Sequence, residues 1–226
     1  MARTGRPRAF DREAAIDAAM RAFWQHSYEG TSIETLRAAM GGISSASFYA
    51  AFGSKEQLYR ESLDRYLATH GRVVAPLFDT SMPPRGRIEH ALRGSAQMQS
   101  DVRHPLGCMV TLSATIGSAQ NEHLRHVTAA IRRENRAAID RAVAEAVEAQ
   151  ELRTDAATSL PVFFDMALNG LTLLARDGSD RDMLDGAVDA AMATWDSYKR
   201  AATVRSCAST AMHSSDVQTE AKFLYR

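Results

Sequence analysis

The residues best suited to chemistry fall into a few small groups. Arg3, Arg6 and Arg8 crowd the N-terminus with no acid among them, a local electrostatic footprint for a polyanion. His123 and His126 stand three apart beside Glu122 at a spacing that puts both rings on one helix face, as metal ligation requires. No third ligand is in register, and surface histidines on a long helix are the plainer reading. Cys108 follows His104-Pro105-Leu106-Gly107 near an expected helix start, where a thiolate is favoured. A thiol sensor and an inert buried cysteine are both compatible with it, and the second is the commoner case. Arg132-Arg133 and Glu134 read as a solvated charged face. The phosphate loop, His-Glu-x-x-His, Gly-x-Ser-x-Gly and paired catalytic carboxylates are missing, so no enzyme activity, cofactor or metal is expected.

These groups must be positioned by helices. The 226 residues are 45% hydrophobic and 24% charged, with zero formal net charge, ordinary values for a globular chain with a buried core. The two cysteines, Cys108 and Cys207, are far apart and form neither a disulfide framework nor a zinc site. No apolar run precedes Phe10, and no stretch approaches the ~20 apolar residues of a membrane span. A cytoplasmic, non-membrane protein is the expectation.

Apolar spacing is helical nearly throughout, with no strand alternation. Asp11 caps a first helix whose stripe is Ile16, Ala19 and Phe23. Thr31-Ser32-Ile33-Glu34 reads as a capping box with Thr31 as the cap, and Gly41-Gly42 ends that second helix. Ser44 caps a short third helix over 45–51. Gly53 breaks it, and Ser54-Lys55-Glu56-Gln57 opens a fourth toward His70. After a loop over 78–84, helices are predicted at 85–101, 105–118, 121–150 (on the order of 40 Å long), 155–176 and 180–198. Serine and threonine then dominate, and 199–226 reads as a poorly ordered tail.

Two short helices joined by a glycine turn, the second opened by serine, form the helix-turn-helix layout, whose second helix enters the major groove. The runs Ala15–Phe23, Tyr28–Ile33 and Ile43–Leu58 resemble the signature of TetR/AcrR-type regulators over roughly residues 10–60. That resemblance implies an all-α fold of about nine helices. It divides into a basic arm (1–9), a three-helix DNA-binding domain (10–54) and a helical ligand-binding and dimerisation domain (55–198). It places Ser45, Ala46 and Ser47 at the start of the recognition helix, Ala46 able to touch a thymine methyl and the serines able to donate to a base or phosphate. Tyr49 and Lys55 resemble the family's phosphate clamps, and Thr31 and Ser32 the helix end offered to another phosphate. Gly5-Arg6-Pro7-Arg8 is similar to arms inserted into A·T-rich minor grooves, so Arg6 and Arg8 join the DNA-binding set, although a solvated tail fits equally.

Three positions depart from the family pattern. Gly41-Gly42 lengthens the turn by one residue, Ser27 replaces a usual glycine, and Arg37 replaces a usual alanine. Arg37 is either a phosphate contact or the i+3 partner of Glu34.

The resemblance further implies a small-molecule effector in the distal helices and a homodimer through about 155–176 and 180–198, which would read a pseudo-palindromic double-stranded operator. Met98, Cys108, Met109, Leu112, Phe163, Met166 and Asn169 are the ligand-binding candidates, as apolar or orienting groups in a pocket. A regulator or architectural protein that binds DNA without a ligand is the alternative, and an all-helical enzyme the more remote one. An enclosed cavity would favour the ligand-released repressor, and a fully packed core the alternative.

Overall fold

A computed structural model describes residues 11–115 and 118–200. The arm residues Arg3, Arg6 and Arg8, and the tail beyond residue 200, lie outside them. Every named element among the described residues is helical, nine α-helices joined by three 3-10 segments.

The chain begins with α1 (Arg12–His26), capped as the sequence predicts, Asp11 accepting from the Ala14 amide at 3.1 Å. It buries Ala15, Ile16, Ala19, Met20, Phe23 and Trp24, the stripe of a period near 3.6. The turn after it departs from expectation. Thr31 does not cap α2 (Ile33–Ala39). Its side chain is buried, and its hydroxyl donates to the carbonyls of Ser27 at 2.6 Å and Ala22 at 3.3 Å, tying the turn to α1. Ser32 is the cap, accepting from the Thr35 amide at 3.0 Å. The cap thus falls one residue beyond the predicted position, because the buried carbonyls at the end of α1 claim the first hydroxyl.

Ser44 caps α3 (Ser45–Phe52), and Ser54 caps α4 (Lys55–Ala68), each accepting from an amide three residues on. The head is fastened at its rim by ion pairs between α1 and α4: Arg12 with Glu61, and Arg65 with Glu13 and Asp17.

Beyond α4 a 3-10 segment, His70–Phe78, takes the chain to α5 (Pro84–Gln99), which opens on proline at its first turn, where the missing amide is harmless. The helix expected over 105–118 is mostly absent. Among the described residues of that range only α6 (Met109–Leu112) and a short 3-10 turn form. Gly107 holds φ +81° and donates its amide to the Gln99 carbonyl at 3.0 Å, folding the 100–108 segment back on the end of α5. A Cβ there would press on Thr172 at 3.2 Å.

The rest follows expectation closely: α7 (Glu122–Glu148), α8 (Ala156–Arg176) and α9 (Arg181–Ser197). Arg87 of α5 is buried and pinned to Glu145 of α7 at 2.6 Å and the Met82 carbonyl at 2.8 Å. Lys199, assigned to the tail by composition, pairs with Leu152 in an isolated antiparallel bridge. By length and composition α8 is apolar enough to cross a membrane, contrary to the sequence reading. A third of that span, 33%, is buried inside the protein, where Leu160, Phe164, Leu168 and Leu171 pack into the core with Trp195 and Ile139.

Ser27 has φ 62° and ψ 174°, a region nearly confined to glycine, which explains why glycine is usual there. Ser27→Gly is expected to raise stability by about 1 kcal/mol, a rise of roughly 2–4 °C in melting temperature. Gly30→Ala should do the reverse more strongly, since its Cβ would stand 2.3 Å from the His26 carbonyl oxygen. Thermal unfolding of both variants checks this, and a lower melting point for Ser27→Gly would contradict the strain at that position.

Candidate nucleic-acid interface

The geometry of α2 and α3 is set by one buried wedge and one turn. Phe48 and Phe52, 0% and 1% exposed, are the inward side of α3. They leave Ser45, Ala46, Ser47, Tyr49 and Ala50 exposed on the outward side. Burial of two aromatic rings, about 1.5–3 kcal/mol each, holds an eight-residue helix that could not persist alone. Its outer surface is consequently free of any packing duty.

The turn before it runs through Gly41 at φ +82° and Gly42 at φ +78°. Two consecutive left-handed residues give the longer connection, and side chains other than glycine are strained there. Arg37 closes the turn: its Nε donates to the Ile43 carbonyl at 2.8 Å. The guanidinium therefore braces the turn, a use the sequence alone does not suggest. Its charge still helps lower the Glu34 carboxyl, behind the stronger effects of the Glu34 amide and Ser32.

The candidates divide by what surrounds them. Ser45 and Ala46 stand at the open start of α3. The Ser47 hydroxyl lies 2.9 Å from that of the cap, Ser44, so one of its hydrogen-bonding directions is already used within the helix. Tyr49, 49% exposed, leans its ring edge on Phe48 and carries its phenol outward. Lys55 sets its ammonium over the Tyr28 ring, 4.3 Å from the centroid, a cation–π contact. Burial lowers its pKa, and Glu29 opposes that shift. Ser32 is exposed at the head of α2, but the ionised Glu34 carboxylate sits at the same end, held low by its own amide and by Ser32. Thr31, buried and bonded inward, is removed from the set of side chains that can touch a ligand there.

Behind this surface the helices are locked together by rings. Phe23, Tyr28 and Tyr59 form a triad with centroids 5.1–5.9 Å apart. His123, a candidate metal ligand by spacing, pairs with Glu56 at 3.1 Å, joining the start of α7 to α4. His126 lies near Glu122 at 3.7 Å.

A short rod with a small, polar outer face, carried on two helices and braced from behind, is the arrangement in which a second helix can be laid into a groove. Comparison with known proteins points the same way. Residues 15–61 match the family of bacterial regulatory proteins, tetR family. A solved TetR family transcriptional regulator, CifR, shares 35% identity over 84% of this chain and all of its own, with a TM-score of 0.75. The chain belongs to the TetR family.

That CifR structure is of a cysteine mutant complexed with 26-base-pair double-strand operator DNA. The HTH-type transcriptional repressor ComR of Escherichia coli K12 is 28% identical over 80% of this chain and 86% of its own length. A second repressor of that organism, BdcR, is 34% identical over 47% of this chain and 53% of its own. Within this TetR-family head the connection from α2 to α3 runs through the left-handed Gly41 and Gly42. Gly41→Ala and Gly42→Ala are each expected to lower stability by about 1–2 kcal/mol. Neither is excluded by space, since nothing lies within 4 Å of where either methyl group would stand. Urea unfolding measures this, and an unchanged midpoint would show that the turn tolerates right-handed backbone.

Proposed function

We propose that the protein is a cytoplasmic DNA-binding transcriptional repressor that acts as a homodimer on a pseudo-palindromic operator and leaves it when a small molecule occupies the distal helices. The observation that carries the reading is the exposed α3 face, Ser45, Ala46 and Tyr49, held out by Phe48 and Phe52. Ser45 and Ala46 meet base edges, with Ser47 divided between a base and its cap. Tyr49, Lys55 and the Ser32 end of α2 meet phosphates and fix the register; Arg6 and Arg8 of the arm reach the adjacent minor groove. Thr31 contributes only by shaping the turn.

The dimer surface is the outer side of α8 and α9. Val162, Met166, Leu173 and Met183 are all more than half exposed. A shallow groove runs beside them, lined by Leu92, Ala167, Gly170, Leu174, Ala187 and Ala191. Gly170 and Gly186 have open space beyond their Cα atoms, which permits close approach of a second helix pair. Such a contiguous apolar surface marks an association site, and an isologous contact would set two α3 helices for two half-sites.

Effector release is supported by a cavity of about 40 Å³ between α4, α5, α7 and α8. Of the ligand-binding candidates, Met98, Cys108 and Asn169 line it. Met109 is packed in the core, Leu112 beside it, Phe163 lies against the core of the distal helices, and Met166 belongs to the proposed dimer surface.

Two routes join this cavity to the head. Tyr66 and Leu67, at the far end of α4, form part of its wall, while Lys55 begins the same helix, roughly 17 Å away at 1.5 Å per residue. Cys108, touched by the Tyr66 hydroxyl at 3.3 Å, follows Gly107, whose carbonyl accepts from the Trp24 indole of α1 at 3.2 Å. An occupant that favours a displaced α4 and 100–108 segment shifts the population away from the DNA-binding spacing.

Three experiments test this reading. In band-shift titrations with DNA upstream of its own gene, Tyr49→Phe should weaken binding without altering the salt slope, whereas Lys55→Ala should reduce that slope by about one. Equal slopes for Lys55→Ala and the unmodified protein would remove the phosphate contact. In a reporter strain, Ser95→Leu, which fills the cavity from α5, should keep the reporter silent under growth conditions that derepress the unmodified regulator. Leu174→Asp, placed on the outer face of α8, should give a monomer by sedimentation and lose at least about 100-fold in operator affinity. Equal derepression in the Ser95 variant would place the effector elsewhere, and full affinity in a monomer would end the two-fold model.

A further inference from the structure

The cavity holds polar groups that the fold does not supply with partners of matching character. Gln99 lines it from the end of α5 and is 2% exposed, yet no donor among the described residues reaches its Oε1. An unanswered buried carbonyl is costly, on the order of 1–3 kcal/mol. Arg132 lines the cavity from α7. Its Nη1 donates to the Val110 carbonyl at 2.6 Å, but no carboxylate among the described residues stands within ion-pair distance. Burial lowers its pKa, and the charge of Asp165, beyond ion-pair distance across the cavity, only partly opposes that shift. Asp165 of α8 also faces the cavity. Its pKa is raised by burial, against the opposing charges of Arg136 and Arg132 and a 3.0 Å hydrogen bond from Asn169. Between these groups the walls are apolar: Val73, Met98, Val110 and Leu168.

We infer that the effector is a small carboxylic acid that also carries a hydroxyl or amino donor, its carboxylate held by Arg132 and its donor by the Gln99 carbonyl. The inference rests on the effector-released reading above and adds the chemistry of the ligand. A guanidinium fork suits a planar carboxylate, and a lone amide oxygen selects a donor, because a ligand without one leaves that oxygen unpaired. Asp165, whose carboxylate already accepts from Asn169, disfavours a second negative charge on the ligand. A volume of about 40 Å³, room for only a few water-sized groups, sets the scale at a few heavy atoms. The donor requirement comes from Gln99 and the charge requirement from Arg132, so the two can be separated.

Calorimetry on the full-length protein with lactate, alanine, propionate and 1,2-propanediol tests each. Lactate or alanine should bind at least about tenfold more tightly than propionate, which lacks the donor, and than the diol, which lacks the charge. Gln99→Leu should bring lactate down to the level of propionate and leave propionate unchanged. Arg132→Met should abolish binding of all three acids. If that variant does not fold by circular dichroism, Arg132→Lys replaces it, with acid binding reduced but above that of the diol. Diol binding equal to lactate, a lactate-to-propionate ratio unchanged in Gln99→Leu, or binding by none of the four probes overturns the inference. The Ser95→Leu reporter result is independent of these probes, so failure of the ligand class and failure of the switch are distinguishable.

Discussion

Trp24 is the residue through which the head and the distal helices become one body. Its indole is 1% exposed on α1, donates to the Gly107 carbonyl, and is enclosed by Tyr66, His70 and His104 with ring centroids 4.7–5.0 Å away. The apolar cluster it belongs to runs without interruption from Phe48 and Phe52 of α3, through Leu58 and Leu63 of α4, to Met98, Met109, Val110 and Leu124. The head therefore has no core of its own. Arg21 and Arg176 reinforce the junction, donating to the Arg103 and Gln25 carbonyls at 2.9 and 2.6 Å. In such close packing a displacement is transmitted rather than absorbed, which is the physical condition for any coupling between the cavity and α3.

The head is the most legible part of the chain because its signals are local. Asp11, Ser44 and Ser54 each satisfy an orphan amide three residues on, and a cap is decided by its own few neighbours. The one cap that differs, Ser32 in place of Thr31, lies where a tertiary demand competes. The two hydroxyls are adjacent and equally able to cap, and only the nearby carbonyls of Ala22 and Ser27 decide which of them turns inward. The same holds for Arg37. Its i+3 relation to Glu34 is visible in the sequence, but the Ile43 carbonyl that engages it exists only after two left-handed glycines have bent the chain.

The distal half is legible as helices and opaque as a site. Periodicity identifies the faces of α7, α8 and α9, since any inward-facing residue contributes to the stripe. It does not say whether an inward residue meets a neighbour or a void, which is why Met98, Cys108 and Asn169 line the cavity while Met109 and Phe163 do not. Gln99, Arg132 and Asp165 escape a sequence reading for a related reason: polar residues on amphipathic helices are ordinarily solvated. A usable signal exists only in Asp165, an acid inside an otherwise apolar helix. The helix that does not form over 105–118 shows the limit from the other side. Its residues have adequate helix propensity, but Gly107 sits in a left-handed conformation with its amide bonded back to the Gln99 carbonyl, a tertiary turn that helix periodicity does not announce.

Helix α8 unites these observations. Asp165, Leu168 and Asn169 face the cavity, while Val162, Met166 and Leu173 face outward, so successive residues on one helix serve two surfaces. Its last turn reaches the head, where Arg176 bonds to the Gln25 carbonyl at the end of α1 and lies 3.4 Å from that of Leu106. Beyond Pro161 the helix continues uninterrupted to Arg176, and side chains on opposite sides of that stretch are not readily repositioned independently. In the proposed switch, an occupant of the cavity between α7 and α8 would act at the same time on the outward apolar face and on the end of α1. In the proposed dimer both of these bear on the separation of the two α3 helices, one through the subunit contact and one through the head. The apolarity that makes α8 resemble a membrane span in composition is, on this account, what a helix acquires when it serves a core, a cavity and a partner at once.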